Sequence, residues 1–268
     1  MARLDRMAPD MSSAAAESGL RVLDRPYLLS RLDRIQEFDI VLVVAGAGFG
    51  KSHLVTSWAE SQEGGRVVVW ARPTGPGSLP DLATAAGELA DRTAAGGAAG
   101  VIVVDDPIRT WPSPTIEMVA RFAESAPSNS ALIVCKRDGR SKPWSTAQHA
   151  GRLWVIGPQD LALDDEEAGV ALEAWAERPI PAKFCVQVNK QVEGWVTGLR
   201  LASNELRRHR GDLRIVPTWP ASSVELESFL AVEVISAMSV EDVEFVEVTA
   251  ELPCLDPDLC DHLTGRQD

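Results

Sequence analysis

Residues Ile40-Val41-Leu42-Val43-Val44 run directly into Ala45-Gly46-Ala47-Gly48-Phe49-Gly50-Lys51-Ser52. An unbroken apolar run of this length, bounded by glycine-rich sequence, reads as a strand buried on both faces. The segment 53–63 behind it suits a helix. Strand, glycine-rich loop and helix in that order confine the chain to an α/β architecture. In such a loop the glycines let backbone N–H groups turn inward around an anion without a Cβ clash. The following helix aims its positive dipole end and its unpaired N–H groups at the same anion. Lys51 is placed to reach the β- and γ-phosphates of a nucleotide, and Ser52 supplies a hydroxyl for Mg²⁺. The strict pattern G-x-x-x-x-G-K-[ST] has Gly where this chain has Ala45. That position only starts the turn, so a small residue serves.

Four further apolar runs, at 67–70, 101–104, 131–134 and 153–156, repeat the strand signal. Helix-compatible segments lie at 79–93 and 115–125, and Gly96, Gly97 and Gly100 punctuate the chain before the third strand. Alternation of this kind predicts a parallel sheet flanked by helices and joined by right-handed crossovers. Leu28, Leu29 and Leu32 recur at helical spacing after Pro26, a good first-turn residue. Near residue 160 the strand runs stop. Helical spacing then appears at 166–175, 194–208 and 224–238, while 240–252 fits neither the helix nor the strand template. Residues 1–20 read as a disordered arm.

Two carboxylates, Asp105 and Asp106, close the run at 101–104. The C-terminal edge of a parallel strand faces the crevice where nucleotides bind. Asp105 is suited to hold Mg²⁺ through its water shell, and Asp106 to orient or deprotonate an attacking water. Lys136-Arg137 ends the run at 131–134, where an Arg can contact a γ-phosphate and register its loss. The formal charge of −13 over 268 residues argues against a general nucleic-acid binder. The one compact basic run, Arg207-Arg208-His209-Arg210, complements the dipole at a helix C-terminus. Cys135, Cys185, Cys254 and Cys260 form no C-x-x-C pair and read as reduced thiols. With neither a membrane-length apolar run nor a signal-peptide layout, a cytoplasmic protein is expected.

Several stretches together resemble the N-terminal ATPase module of the MalT-like, LuxR-type ATP-dependent transcriptional regulators, a group of the signal-transduction ATPases with numerous domains. Arg25-Pro26-Tyr27-Leu28-Leu29 resembles the start of that module, and Ala45 to Ser52 its A-x-A-G-F-G-K-[ST] loop, in which Ala also stands first. Val103-Val104-Asp105-Asp106 is similar to its acidic strand, and 161–168 to the start of its helical domain. The most specific similarity is Glu193-Gly194-Trp195-Val196-Thr197-Gly198-Leu199-Arg200-Leu201-Ala202. Residues 260–265 resemble part of a further helical domain. Two features depart from the pattern: the stretch between Trp70 and Val101 is short, and Lys136 stands where the family prefers a small polar residue.

The resemblance implies a P-loop NTPase domain over 21–160 and a small helical domain over 161–210. A linker and an incomplete, winged-helix-like domain over 211–268 would follow. It implies ATP or ADP with Mg²⁺ as ligands. Arg25, Pro26 and His53 would join residues 45–52 around the nucleotide, and Gly194 and Trp195 would close over it from the helical side. Lys51, Asp106 and Arg137 would be the catalytic set, with Ser52 and Asp105 on the metal. In that family ADP holds a closed resting state, and exchange for ATP permits self-association and promoter binding. Residues 1–268 contain no sensor repeats and no C-terminal helix-turn-helix. The expectation is therefore a slow ATP-hydrolysing switch, with self-association or a separate sensor or effector chain as partner, and without direct DNA or membrane binding. A truncated, non-hydrolysing nucleotide- or partner-binding module is the alternative. A P-loop kinase of small molecules is a more remote one.

Overall fold

The computed structural model describes residues 25–62, 65–71, 81–94, 99–105, 130–137, 144–215, 223–252 and 254–265. Five strands form one sheet: β1 (Ile40–Val44), β2 (Arg66–Trp70), β3 (Ala99–Val104), β4 (Ser130–Lys136) and β5 (Leu153–Ile156). Their order is β2-β3-β4-β1-β5, and every pairing is parallel. Register follows the apolar content. Ile40 sits opposite Leu132 and Leu153, and Val101 opposite Val68 and Ala131.

Successive side chains of a strand point to opposite faces, and the two faces of this sheet carry separate cores. Ile40, Leu42, Ile102, Val104, Leu132 and Val134 pack on one side with Leu82, Ala85 and Leu89 of helix α3 (Leu82–Ala94). Val41, Val43, Val101, Val103, Ile133 and Cys135 pack on the other. Two helices cover that second face: α1 (Pro26–Leu32) through Leu28 and Leu32, and α2 (Lys51–Ser61) through Leu54, Val55 and Trp58. Burial of a Leu, Val or Ile side chain stabilises by about 1.5–3 kcal/mol, so the continuous apolar runs define the sheet. Trp58 keeps its polar end satisfied, its Nε1–H donating to Asp33 Oδ1 at 3.1 Å. Two short helices flank β5: α4 (Ser145–His149) before it and α5 (Pro158–Leu161) after it.

Three helices follow: α6 (Asp165–Ala176), α7 (Ala182–Val192) and α8 (Val196–Arg208). Asp164 caps α6 by accepting from the N–H groups of Glu166 and Glu167, and Glu167 returns a bond to the Asp164 N–H. The three helices share a core of their own, in which Ala168, Leu172, Trp175, Val188, Leu199 and Leu206 are buried. Helix α7 is not among the segments read from sequence, although Cys185, Val188 and Val192 recur at helical spacing. Its inner face also carries the polar Asn189. Asn189 is buried because its Nδ2 donates to Leu163 O at 3.2 Å and to Asp165 Oδ1 at 2.9 Å.

The chain divides into two compact units, Met1–Ser222 and Ser223–Asp268. The helical block keeps its own core within the first unit. Among its described residues the second unit contains three α-helices, α9 (Val224–Glu233), α10 (Val240–Thr249) and α11 (Pro257–Thr264), and no strand. The ambiguous stretch 240–252 is thus helical through Thr249. Its side chains follow no amphipathic period, since Val240, Val246 and Val248 are exposed. Ser239 nonetheless starts the helix with a capping box closed by Asp242. No helix among the described residues is long and apolar enough to cross a membrane.

Candidate nucleotide site

The loop between β1 and α2 begins at Ala45, whose N–H donates to Lys136 O of β4 at 3.2 Å. Gly48 and Gly50 adopt φ of +78° and +83°, the left-handed region open to glycine. Gly50 is the residue before the first turn of α2, so the chain can reverse into the helix there. Among the described residues, the backbone N–H groups of Gly48, Phe49 and Gly50 donate to no protein acceptor. Donors of this kind beside a helix N-terminus form an anion cradle.

Lys51 is 8% exposed and lies folded over the loop, its Nζ donating to Ala45 O at 2.8 Å and to Gly46 O at 2.9 Å. Ser52, one residue further on, donates through Oγ to Asp105 Oδ1 at 3.0 Å. Asp105 directly follows β3, which is separated from β1 by β4. Strands lie about 4.8 Å apart, so serine and carboxylate meet across the end of the intervening strand. Lys136, the last residue of β4, is 2% exposed at that end, with Arg137 directly after it. Hard oxygen donors from one serine and one carboxylate suit a magnesium ion that keeps most of its water.

Beside the loop a cleft open on one side is lined by Leu28, Phe49, His53, Leu54, Leu161 and Val196. Its walls are mostly apolar. Arg25 forms one rim. Its guanidinium donates to Leu161 O at 2.8 Å and to Asp160 O at 3.0 Å, and pairs with Glu167 at 3.0 Å. Pro26 opens α1 at its first turn.

From the other side the helical block touches the loop itself. Trp195 Nε1 donates to Ala47 O at 2.9 Å. Thr197 donates to Gly48 O twice, through Oγ1 at 3.0 Å and through its backbone N–H at 3.1 Å. The approach is close enough that a Cβ at Gly48 would stand 2.3 Å from Thr197 Oγ1 and 2.8 Å from Trp195 Nε1. Gly194, at φ +76°, is equally constrained, with Leu163 N 2.6 Å from where its Cβ would be.

A Walker-type ATPase of Pyrococcus abyssi superposes on the chain with a TM-score of 0.58 at 14% identity, covering 84% of this chain and 78% of that one. This chain has the P-loop NTPase fold. The RuvB Holliday junction branch migration motor of Thermotoga maritima lies further off, with a TM-score of 0.45 at 14% identity, covering 91% of this chain and 83% of that one. Such a superposition adds nothing to the assignment. No protein-family profile matches the chain.

Within the P-loop fold, the structure brings together residues 45–52, His53, Asp105, Arg137 and Trp195 around the C-terminal ends of β1, β3 and β4. It directs Arg25 onto the carbonyls at 160–162, and it holds Gly194 against Leu163, whose N–H donates to Gly194 O at 3.0 Å. Asp106, together with the helix expected at 115–125, lies outside the described residues. Sequence reasoning did not single out Thr197, Leu161 or Val196. Thr197 lies in the stretch that resembles a family motif, but no spacing rule connects residue 197 to residue 48.

Proposed function

We propose that this chain is a nucleotide switch module: it binds ADP and ATP with Mg²⁺ and hydrolyses ATP slowly. The observation that carries the reading is the joining of Ser52 to Asp105 at 3.0 Å beside a loop whose Lys51 is already buried. The buried Lys51 Nζ donates to two backbone carbonyls of the loop. Phosphate oxygens would offer it a charge-assisted partner stronger than those carbonyls. The amides of residues 48–50 supply neutral donors to the same anion, and the apolar cleft at Phe49, Leu161 and Val196 suits the flat face of a base.

Mg²⁺, when bound, would neutralise charge on the phosphate oxygens, and Ser52 and Asp105 are the groups to hold it. Arg137 is read as the γ-phosphate contact and Asp106 as the group that orients water. The helical block, by its resemblance to that of the LuxR-type regulators, is read as the regulatory half, with Trp195 at the loop. Isothermal calorimetry with ADP and Mg²⁺ tests binding, and phosphate release from ATP tests turnover. The expected rate is below about 1 s⁻¹, under the usual enzyme median of about 10 s⁻¹. Absence of MgADP binding at millimolar concentration would overturn the reading. Binding without phosphate release would leave the non-hydrolysing alternative.

A further inference from the structure

We infer that Trp195 and Thr197 are positioning residues that preorganise the anion cradle by gripping the far side of its peptide planes; this rests on the proposed nucleotide reading. In a trans peptide the carbonyl and the N–H of one plane point in opposite directions. Ala47 O is held by the indole N–H of Trp195, so the N–H in the same plane, that of Gly48, points away from the helical block. Gly48 O is held by Thr197, so the Phe49 N–H points away as well. Neither N–H donates to a protein acceptor among the described residues. Two consecutive donors thus face the space where the phosphates belong, fixed from behind by side chains that need not touch the ligand.

A glycine-rich loop otherwise samples many conformations, and ordering one residue costs about 1–2 kcal/mol. Gly46, Ala47, Gly48 and Gly50 would bear much of that cost on ligand binding. Trp195 and Thr197 remove part of it in advance by docking the first turn of α8 on the loop. Gly48 is what admits them, since any side chain there would collide with Thr197 Oγ1. The coupling is reciprocal. A ligand that orders the loop strengthens the grip on α8, and a signal that pulls α8 away loosens the cradle. The helical block therefore regulates phosphate affinity through the backbone of the loop, in addition to covering the ligand.

The test uses the full chain and calorimetric titration with MgADP, with thermal melting to verify that each variant is folded. Trp195→Phe removes the indole donor and keeps an aromatic ring. Thr197→Val keeps the volume and removes the hydroxyl, whereas Thr197→Ser keeps the hydroxyl. Loss of one neutral hydrogen bond predicts that Trp195→Phe and Thr197→Val each raise the dissociation constant by about 2- to 12-fold. Thr197→Ser should stay within about twofold of wild type. Equal losses in Thr197→Ser and Thr197→Val would reduce Thr197 to packing and overturn the inference. Unchanged affinity in both Trp195→Phe and Thr197→Val, with wild-type binding intact, would overturn it and leave the nucleotide reading standing. No MgADP binding by the wild-type protein would remove that reading, and the grip with it.

Discussion

Ser52 and Asp105, 53 residues apart in sequence, meet at 3.0 Å although β4 stands between β1, which leads into the loop before Ser52, and β3, which leads to Asp105. The first turn of α2 thus reaches the end of β3, past the intervening strand. Ser52 and Asp105 are the groups that would hold a magnesium ion. The prediction is that Mg²⁺ strengthens ADP binding by wild-type protein, and that this enhancement shrinks toward unity in Ser52→Ala. Paired titrations with Mg²⁺ and with EDTA measure the ratio. An undiminished ratio in the variant would remove Ser52 from the metal site.

Lys51→Ala deletes a buried cation from a site proposed to receive phosphate. Charge-assisted hydrogen bonds contribute about 1.5–3 kcal/mol, so MgADP affinity should fall by roughly 10- to 150-fold. Calorimetry giving equal affinity for both proteins would remove Lys51 from the phosphate site.

Two glycines should respond to alanine with opposite signs. Gly48 has φ +78° and no room for a Cβ, so Gly48→Ala should destabilise the first unit by about 1–3 kcal/mol. Gly87 lies inside α3, where a Cβ would meet nothing within 4 Å. Gly87→Ala should stabilise by about 0.5–1 kcal/mol, since alanine loses less backbone entropy in a helix. Urea denaturation of the two variants compares them directly, and a stabilising Gly48→Ala would contradict the close approach of Thr197.

Thiol labelling should report the packing of the two units. Cys254 is exposed, whereas Cys135, Cys185 and Cys260 are buried. Burial, reinforced by the nearby Glu173 carboxylate, pushes the Cys185 thiol above its ordinary pKa, which keeps it protonated and unreactive at neutral pH. Native protein treated with iodoacetamide should be modified first at Cys254, as read by peptide mass spectrometry. Early modification of Cys185 would show that the core of the helical block opens.

Duplex DNA should not be bound specifically by this chain. Residues 223–268 contain twelve acidic residues and a single arginine. The basic run at 207–210 is already engaged: Arg207 pairs with Glu177, and Arg208 and His209 lie against Glu205. Any residual attraction should vanish steeply with salt. Fluorescence anisotropy at about 150 mM salt, where the Debye length is about 8 Å, should show no difference between promoter and scrambled duplexes. Discriminating sub-micromolar binding would contradict this.

The sheet was legible because each of its strands is an uninterrupted apolar run, and β1 to β5 all contain the segments read from sequence, with ends shifted by up to two residues. The loop was legible because its chemistry is local: glycines, lysine and serine lie within eight consecutive positions. Three things were not. Helix α7 has its apolar positions Cys185, Val188 and Val192 at helical spacing, but they are few and share the buried face with Asn189. Helix α10 has no buried apolar stripe to impose a period. Thr197 acts on Gly48 across 149 positions, a distance that no pattern within one segment can encode.

The same separation bears on how the protein is made. Residues 45–52 leave the ribosome before the strand that flanks β1 toward β3, which ends at Lys136, and before Trp195 and Thr197, the donors that grip Ala47 and Gly48. At about 5–20 residues per second, the loop waits roughly 7–30 s for them. Through that interval the β1 run is an apolar segment without its partners, the kind of surface that chaperones hold.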